Sequence, residues 1–310
     1  MSNYKELLKA SMKSKDTEEW LDVHFTRPIG LVFALLWNRL NIHPNAITIL
    51  SVILGIGAGY MFYFTDLWHN LAGVGLLMLA NFCDSTDGQM ARLTGKKTLF
   101  GRVLDGFSGD IWFFCIYLAL ALRMQNQPMP GTDVPWGLWI WVPVVVASLL
   151  CHSPQSSLSD YYRQAHLFFL NGKQGSELDN YAAQRAMYEQ QPKGAWFNKL
   201  FYFNYANYCK SQEKRTPMFQ KFMALYSTLG ANKSAEKAEI REKFLSGSRP
   251  LMKYTNILTF NTRAICLYIT CLLNAPWLYL LFEIVVLQGL YIYMHKRHET
   301  LCSALIKEIN

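Results

Sequence analysis

Four aspartates crowd one short stretch of this chain, and their spacing is the first thing in it that could do chemistry. The stretch reads CDSTDGQMARLTGKKTLFGRVLDGFSGD, residues 83–110, and lies between two long apolar runs. Read as helix, Asp84 and Asp87 are three residues apart and share a face. Gly88 and Ala91 lie on that face too and leave the carboxylates uncrowded. Arg92 follows Gly88 by four, and on the next run Gly101 and Asp105 are again four apart. Two helices therefore point carboxylates at one place near a membrane surface. Ionised carboxylates at such depth are costly and mark a functional site by default. Together they repel unless cations neutralise them, and a site of carboxylates alone suits a hard divalent ion such as Mg²⁺ or Mn²⁺.

Asp84, Asp87, Gly88, Ala91, Arg92, Gly101 and Asp105, with eight residues between Arg92 and Gly101, resemble the signature of the CDP-alcohol phosphatidyltransferase family. That pattern runs D-x2-D-G-x2-A-R, seven or eight residues, then G-x3-D-x3-D. The last position departs from it: the family has aspartate where this chain has Gly109, followed by Asp110. Residues 44–48, PNAIT, also resemble the family's P-N-x-I-T lead-in to its first transmembrane helix. The resemblance covers residues 26–170 well and the last two apolar runs by topology only.

The resemblance implies a reaction in phospholipid biosynthesis. An acceptor hydroxyl attacks the alcohol-side phosphorus of a CDP-alcohol, and CMP leaves. It implies two Mg²⁺ or Mn²⁺ ions, with Asp84, Asp87, Asp105 and Asp110 as metal ligands and Asp110 as general base. Gly88, Ala91, Arg92 and Gly101 would border the cytidine diphosphate, with Asn45 and Thr48 on the donor side. Arg92 has a second reading, a helix-end cation interacting with lipid or the helix dipole. The acceptor side is expected at Asp160 and Arg163, in a DYYR run that resembles a Tyr-x-Arg element of the family, and at Arg263. A solvated helix end explains the first two equally well, and snorkelling to the interface explains Arg263.

In a regular helix position 109 lies about 40° from Asp105, whereas Asp110 lies about 140° away. Three explanations stay open. A π-bulge, eased by Gly106 and Gly109, would return Asp110 to the site. Alternatively Asp110 binds something else and Ser108 or water completes the metal shell, or the site is degenerate. The bulge is the expectation carried forward.

The elements that must position these residues are membrane helices. The 310 residues are 51% hydrophobic, 15% aromatic and only 17% charged. The net charge of +8 fits basic residues on one membrane side and attraction to anionic lipid heads; no nucleic-acid-binding module accompanies it. The seven cysteines form no metal-ligand spacing, and the charged first 25 residues contain no signal-peptide core. The expected fold is all-α and integral to the membrane. An N-terminal interfacial amphipathic helix, 26–40, with Arg27 and Arg39 at lipid phosphates, precedes six transmembrane helices; a short first span is the other reading of 26–40. The spans cover about 46–64, 70–92, 99–123, 136–152, 257–273 and 277–294 by the apolar-length criterion, with a short tail after the last. Gly55 and Gly59 form a GxxxG that permits close helix packing.

The expected segments are 1–45, N-terminal and interfacial; 46–170, catalytic helices; 171–254, a cytoplasmic helical insert; and 255–310, the last two spans and tail. Within the insert, 231–245 reads as a soluble helix. The aromatic run 196–208 either lies on the membrane surface or packs inside the insert. Lys and Arg concentrate on the side of the motif, with Arg123 the ambiguous residue, which puts the active site and the insert on the cytoplasmic face. The expected partners are CDP-diacylglycerol or another CDP-alcohol, a small polar alcohol of the inositol, inositol phosphate or glycerol phosphate type, and membrane lipids; a homodimer is allowed and nucleic acid is not expected. Two other readings stand beside this one. One is a CDP-choline or CDP-ethanolamine phosphotransferase acting on a lipid alcohol. The other is a transporter using intramembrane acids, for which broken helices or repeats would be expected.

Overall fold

The structure, a computed structural model, describes residues 4, 6–8, 14, 16–95, 99–229 and 234–309. Regular structure among them is helical throughout. The chain divides into two compact units, Met1–Pro154 with Phe260–Gln288, and Gln155–Thr259 with Gly289–Asn310.

The first unit carries the aspartates. Helix α1 (Arg27–Arg39) follows a π-helical turn, Asp22–Thr26. It buries Gly30, Leu31 and Ala34 and leaves Val32, Phe33 and Leu36 exposed. Arg27, expected at lipid phosphates, is turned inward instead. Its guanidinium donates to both carboxylate oxygens of Glu18, at 3.1 and 3.3 Å, and to Ser85 Oγ at 3.4 Å. An acidic partner in reach outweighs snorkelling to solvent for so short a helix-start cation.

Helix α2 (Pro44–Phe62) starts with Pro44 in its first turn, where a missing N–H costs nothing. Helix α3 (Leu67–Thr94) is capped by Asp66, whose carboxylate accepts from the His69 amide at 3.2 Å. That bond holds the exposed Asp66 carboxyl below its usual range. Helix α3 ends at Gly95, in the left-handed conformation with φ +69° that terminates helices. Helix α4 (Leu99–Gln125) follows. The link residues 96–98, with Lys96 and Lys97 of the charge argument, lie outside the described residues.

Helices α2 and α4 touch at the GxxxG. A Cβ on Gly59 would sit 2.9 Å from the Cys115 Cβ and 3.0 Å from its backbone carbon, and one on Gly55 would overlap the Trp112 ring. The small residues are what lets the two backbones approach. At the end of α4 remote from the aspartates, buried Arg123 donates to the Phe62 and Cys271 carbonyls at 3.0 and 3.3 Å. It also donates to the side-chain oxygens of Asn70 and Asn274, at 2.8 and 2.7 Å. Arg123 is thus an internal tie between helix ends, which removes it from the count of loop charges.

The first unit continues with a short 3₁₀ lead-in, Gly137–Ile140, helix α5 (Trp141–Val145) and a π-helical run, Val146–His152. Of the helices named below, α12 (Phe260–Leu272) and α13 (Trp277–Leu281) with the π-helical run Phe282–Leu287 also belong to it.

The second unit is a helical body with an aromatic core. It contains α6 (Ser153–Asn171, from Gln155 on), α7 (Tyr181–Gln190), α8 (Trp196–Arg215), α9 (Pro217–Thr228), α10 (Ser234–Ser248), α11 (Met252–Ile257) and α14 (Gln288–Ile309, from Gly289 on). Phe169 packs against Phe244 in a tilted pair with centroids 4.1 Å apart, and Tyr162 stacks on His298 at 3.9 Å. The expected short tail after residue 294 is therefore wrong: α14 stays helical to Ile309 and supplies His298 and Cys302 to this core. The expected soluble helix over 231–245 is helix α10 from Ser234, its first three residues lying outside those described.

Four helical stretches among the described residues are long and apolar enough to cross a membrane: Pro44–Phe62, Leu104–Gln125, Gly137–Asn171 and Trp277–Ile309. The protein is an all-α membrane protein. Helix α3 has the length of a span at 28 residues, but its last third is the polar motif. Helix α12 has only 13. These two expected spans do not meet the criterion of length and apolarity.

Candidate active site

Helices α3 and α4 bring together three of the four aspartates. Asp84, Asp87 and Asp105 each offer a carboxylate oxygen, and these oxygens all lie within 4.8 Å of one another. The i, i+3 spacing places Asp84 and Asp87 on one face of α3, and α4 supplies Asp105 from its second turn. Asp87 is buried, Asp84 half-buried and Asp105 exposed, so the cluster opens on the Asp105 side.

Thr48, buried at the start of α2, donates to the Pro44 carbonyl at 3.3 Å. Ser108 Oγ donates to Asp84 Oδ1 at 2.8 Å and also lies 2.8 Å from the Asp105 carbonyl oxygen. Ser108 therefore links α4 to α3 directly at the cluster.

Asp110 is not part of the cluster. Helix α4 is regularly α-helical through residues 104–110, so the expected π-bulge is absent. Without a widened turn, Asp110 stays about 140° around the helix from Asp105, and its side chain is exposed. Position 108, one turn after Asp105, carries the side chain that reaches the acids.

The Arg92 guanidinium folds back over Gly88, where a Cβ would meet Nη1 and Nη2 at 3.4 and 3.5 Å. Ala91, Gly101 and Asn45 are half-buried. Gln89, on the opposite side of α3, is buried and donates to the Arg27 carbonyl at 3.0 Å, which ties α1 to the motif helix.

The residues present fit a divalent cation. Three carboxylates this close repel strongly when ionised. Asp87 Oδ2 is buried with no hydrogen-bond partner, an arrangement that costs free energy unless something supplies positive charge. Every donor in the cluster is a hard oxygen, the chemistry of Mg²⁺, Mn²⁺ or Ca²⁺ sites rather than of thiolate-bound metals.

The residues expected on the acceptor side have these surroundings. Asp160 and Arg163 belong to the second unit, where Asp160 Oδ1 accepts from Gln164 at 3.3 Å and Arg163 Nη2 donates to Asn256 Oδ1 at 3.4 Å. Arg263 is in the first unit but sealed, 1% exposed, and its Nη1 donates to both oxygens of Glu283 at 2.7 and 2.5 Å. It neither snorkels nor opens to an acceptor. Around that pair lies a polar network that the sequence reading missed. Tyr279 donates to Glu283 at 2.8 Å, and the Tyr117 hydroxyl lies 3.2 Å from the Tyr279 hydroxyl and 3.1 Å from His152 Nδ1. Both Glu283 and His152 sit in π-helical runs, which often accompany functional or strained positions. A signal was there: Glu283 is a lone acid inside an apolar run, and such an acid calls for a buried cation.

Residues 41–153 match the family described as CDP-alcohol phosphatidyltransferase. The matched segment contains all three clustered aspartates, Thr48 and Ser108. The chain is 41% identical over 66 residues to the archaetidylinositol phosphate synthase of Pyrococcus horikoshii, covering 21% of this chain and 34% of that protein. It is 28% identical over 123 residues to the bifunctional IPC transferase and DIPP synthase of Aquifex aeolicus, covering 40% of this chain and 25% of that protein. The chain thus spans about a third and a quarter of the length of these relatives.

Proposed function

We propose, since residues 41–153 match the CDP-alcohol phosphatidyltransferase family, that this protein transfers a phosphatidyl group from CDP-diacylglycerol to a hydroxyl of a small polyol or polyol phosphate, releasing CMP. The observation that carries the reading is the triad of Asp84, Asp87 and Asp105 with its unpartnered Asp87 oxygen. The Pyrococcus relative is an archaetidylinositol phosphate synthase, which favours inositol phosphate among the acceptors.

Asp84, Asp87 and Asp105 would hold one or two Mg²⁺ or Mn²⁺ ions, which neutralise a diphosphate and stabilise a leaving phosphate oxygen. The chain's own residues do the rest. Ser108 orients Asp84 toward the other two acids. Gly88 and Ala91 leave room for the nucleotide along α3, and Arg92, lying over Gly88, offers a cation to its phosphates. Gly101 and Asn45 border the same space. The diacylglycerol tails stay in lipid, and the polar head reaches the aspartates at the ends of two membrane helices. The distribution of Lys and Arg supports placing the motif and the insert on the cytoplasmic side.

The test is purified protein in detergent with labelled CDP-diacylglycerol, Mg²⁺ or Mn²⁺, and separate acceptors: inositol, inositol phosphate, glycerol phosphate and diacylglycerol with CDP-choline. The expected result is CMP release and a phosphatidylinositol phosphate product. Turnover only with CDP-choline and diacylglycerol would reverse the roles of donor and acceptor. No CMP release with any pair would overturn the reading.

A further inference from the structure

The second unit carries a surface that the catalytic reading does not use. Helices α7 and α8 pack against each other through a five-residue connection, 191–195, an αα-hairpin. One side of α8 is in the core: Phe201, Ala206, Cys209 and Gln212 are buried. The other side should be polar in a soluble domain. Instead Trp196 is 70% exposed, Phe197 38%, Leu200 54% and Phe203 44%. At about 100° per residue, positions 196, 200 and 203 fall in a stripe about 60° wide, and Phe197 lies about 60° beyond it. Met187 of α7 is exposed as well, and Tyr188 of α7 lies against Phe203 with ring centroids 6.0 Å apart.

Basic residues outnumber acids in the hairpin, six Lys and Arg to three Asp and Glu over 179–215. Lys193 is exposed in the connection and Lys199 flanks the stripe. The acids of the hairpin are occupied: Glu189 accepts from Arg185 at 2.9 Å, and Glu213 accepts from the Tyr181 amide at 2.7 Å. Asp179, just before α7, accepts from the Tyr205 hydroxyl at 2.9 Å. An apolar and aromatic stripe beside lysines matches the boundary between headgroups and acyl chains of an anionic bilayer, where Trp is at home. A bilayer is always near, because the same chain is anchored in one; tethering raises the effective concentration of such a surface.

We propose that the α7–α8 hairpin is a membrane-docking element, with Trp196, Phe197, Leu200 and Phe203 inserted at the lipid interface and Lys193 and Lys199 on anionic headgroups. The proposal depends on the chain being anchored in a bilayer and not on the reaction assigned above. Its second observation, beyond the exposed stripe, is the excess of Lys and Arg over acids in the hairpin.

The full chain, with native cysteines replaced, is reconstituted into phosphatidylcholine vesicles with or without phosphatidylglycerol. A nitroxide is placed at Leu200→Cys, and in a separate sample at Ser227→Cys, on an exposed side of α9. The position 200 probe is expected to be reached by oxygen and shielded from a water-soluble nickel complex, the reverse of position 227. Shielding should deepen with phosphatidylglycerol, and Lys193→Glu with Lys199→Glu should remove that dependence. Equal access of the nickel complex at both positions would overturn the proposal. So would shielding at 200 from oxygen and nickel alike, which means a protein partner or second copy covers the face. If cysteine replacement unfolds the chain, the unmodified protein is labelled with a lipid-partitioned carbene reagent and digested. Labelling of the peptide holding 196–203 supports docking, and its absence beside labelled transmembrane peptides overturns it.

Discussion

Ser108 Oγ donates to Asp84 Oδ1 at 2.8 Å, across the gap between α4 and α3. The family pattern would place an aspartate one residue later, at position 109, and this chain has one at 110. The hydroxyl therefore occupies the position from which α4 reaches the α3 acids. Removing a hydrogen bond to a charged group costs about 1.5–3 kcal/mol. Ser108→Ala is expected to lower CMP release about tenfold or more. Asp110→Asn, outside the cluster, is expected to keep more than about a tenth of the rate. Initial rates of both variants, with protein yield and detergent stability as controls, check the pair. A collapse of activity in Asp110→Asn alone would restore a direct role for Asp110.

Chelator is expected to abolish turnover and Mg²⁺ or Mn²⁺ to restore it. Asp84→Asn and Asp87→Asn should each lose nearly all activity while the protein still inserts and purifies as a folded species. Full rate in excess chelator would remove the cation from the reading.

Glycine 59 gives a prediction about packing. A methyl group there would meet the Cys115 backbone at 3.0 Å, and backbone cannot rotate away. Gly59→Ala should lower thermal stability in detergent by an amount typical of overpacking, about 1–3 kcal/mol. Gly75, whose Cβ would meet nothing within 4 Å, is the control and should tolerate alanine.

The Arg263–Glu283 pair should behave as a buried pair does. Glu283→Gln leaves a sealed guanidinium without its counter-charge, and breaking such a pair costs about 3–5 kcal/mol. Arg263→Met combined with Glu283→Leu removes both charges and should be much less destabilising. Melting curves of the two variants against the parent protein decide it.

Sidedness follows from charge. Cysteine probes in 173–191 and at 128–132, on a version lacking native cysteines, should label from opposite sides of the membrane. Labelling of both from the same side would overturn the six-span arrangement with a cytoplasmic motif.

The carboxylate triad was legible because helical spacing and like-charge repulsion are local properties. Asp84 and Asp87 share a face by counting, and Asp105 is four residues past Gly101. The GxxxG at Gly55 and Gly59 was legible for the same reason, though not its partner, Trp112 and Cys115 of α4. What did not show was tertiary pairing. Arg27 and Arg263 both read as interfacial cations, because a sequence does not say that Glu18 and Glu283 lie within reach. The aromatic core that joins Phe169, Phe244 and His298 draws on residues more than a hundred apart in the chain, which no periodicity in one helix reports. The regular turn at 104–110 shows the converse error: glycines at 106 and 109 permit a bulge but do not require one.

Arg123 ties the ends of α2, α3 and α12 to the end of α4 with four hydrogen bonds. About 27 Å along α4, at Asp105, helices α3 and α4 meet through mutually repelling acids. The bundle is thus riveted at one end and sprung at the other. A cation between the aspartates would close the sprung end, making metal binding a mechanical event for the bundle as well as a chemical one. The melting temperature should then climb with Mg²⁺ or Mn²⁺ concentration in the absence of any substrate.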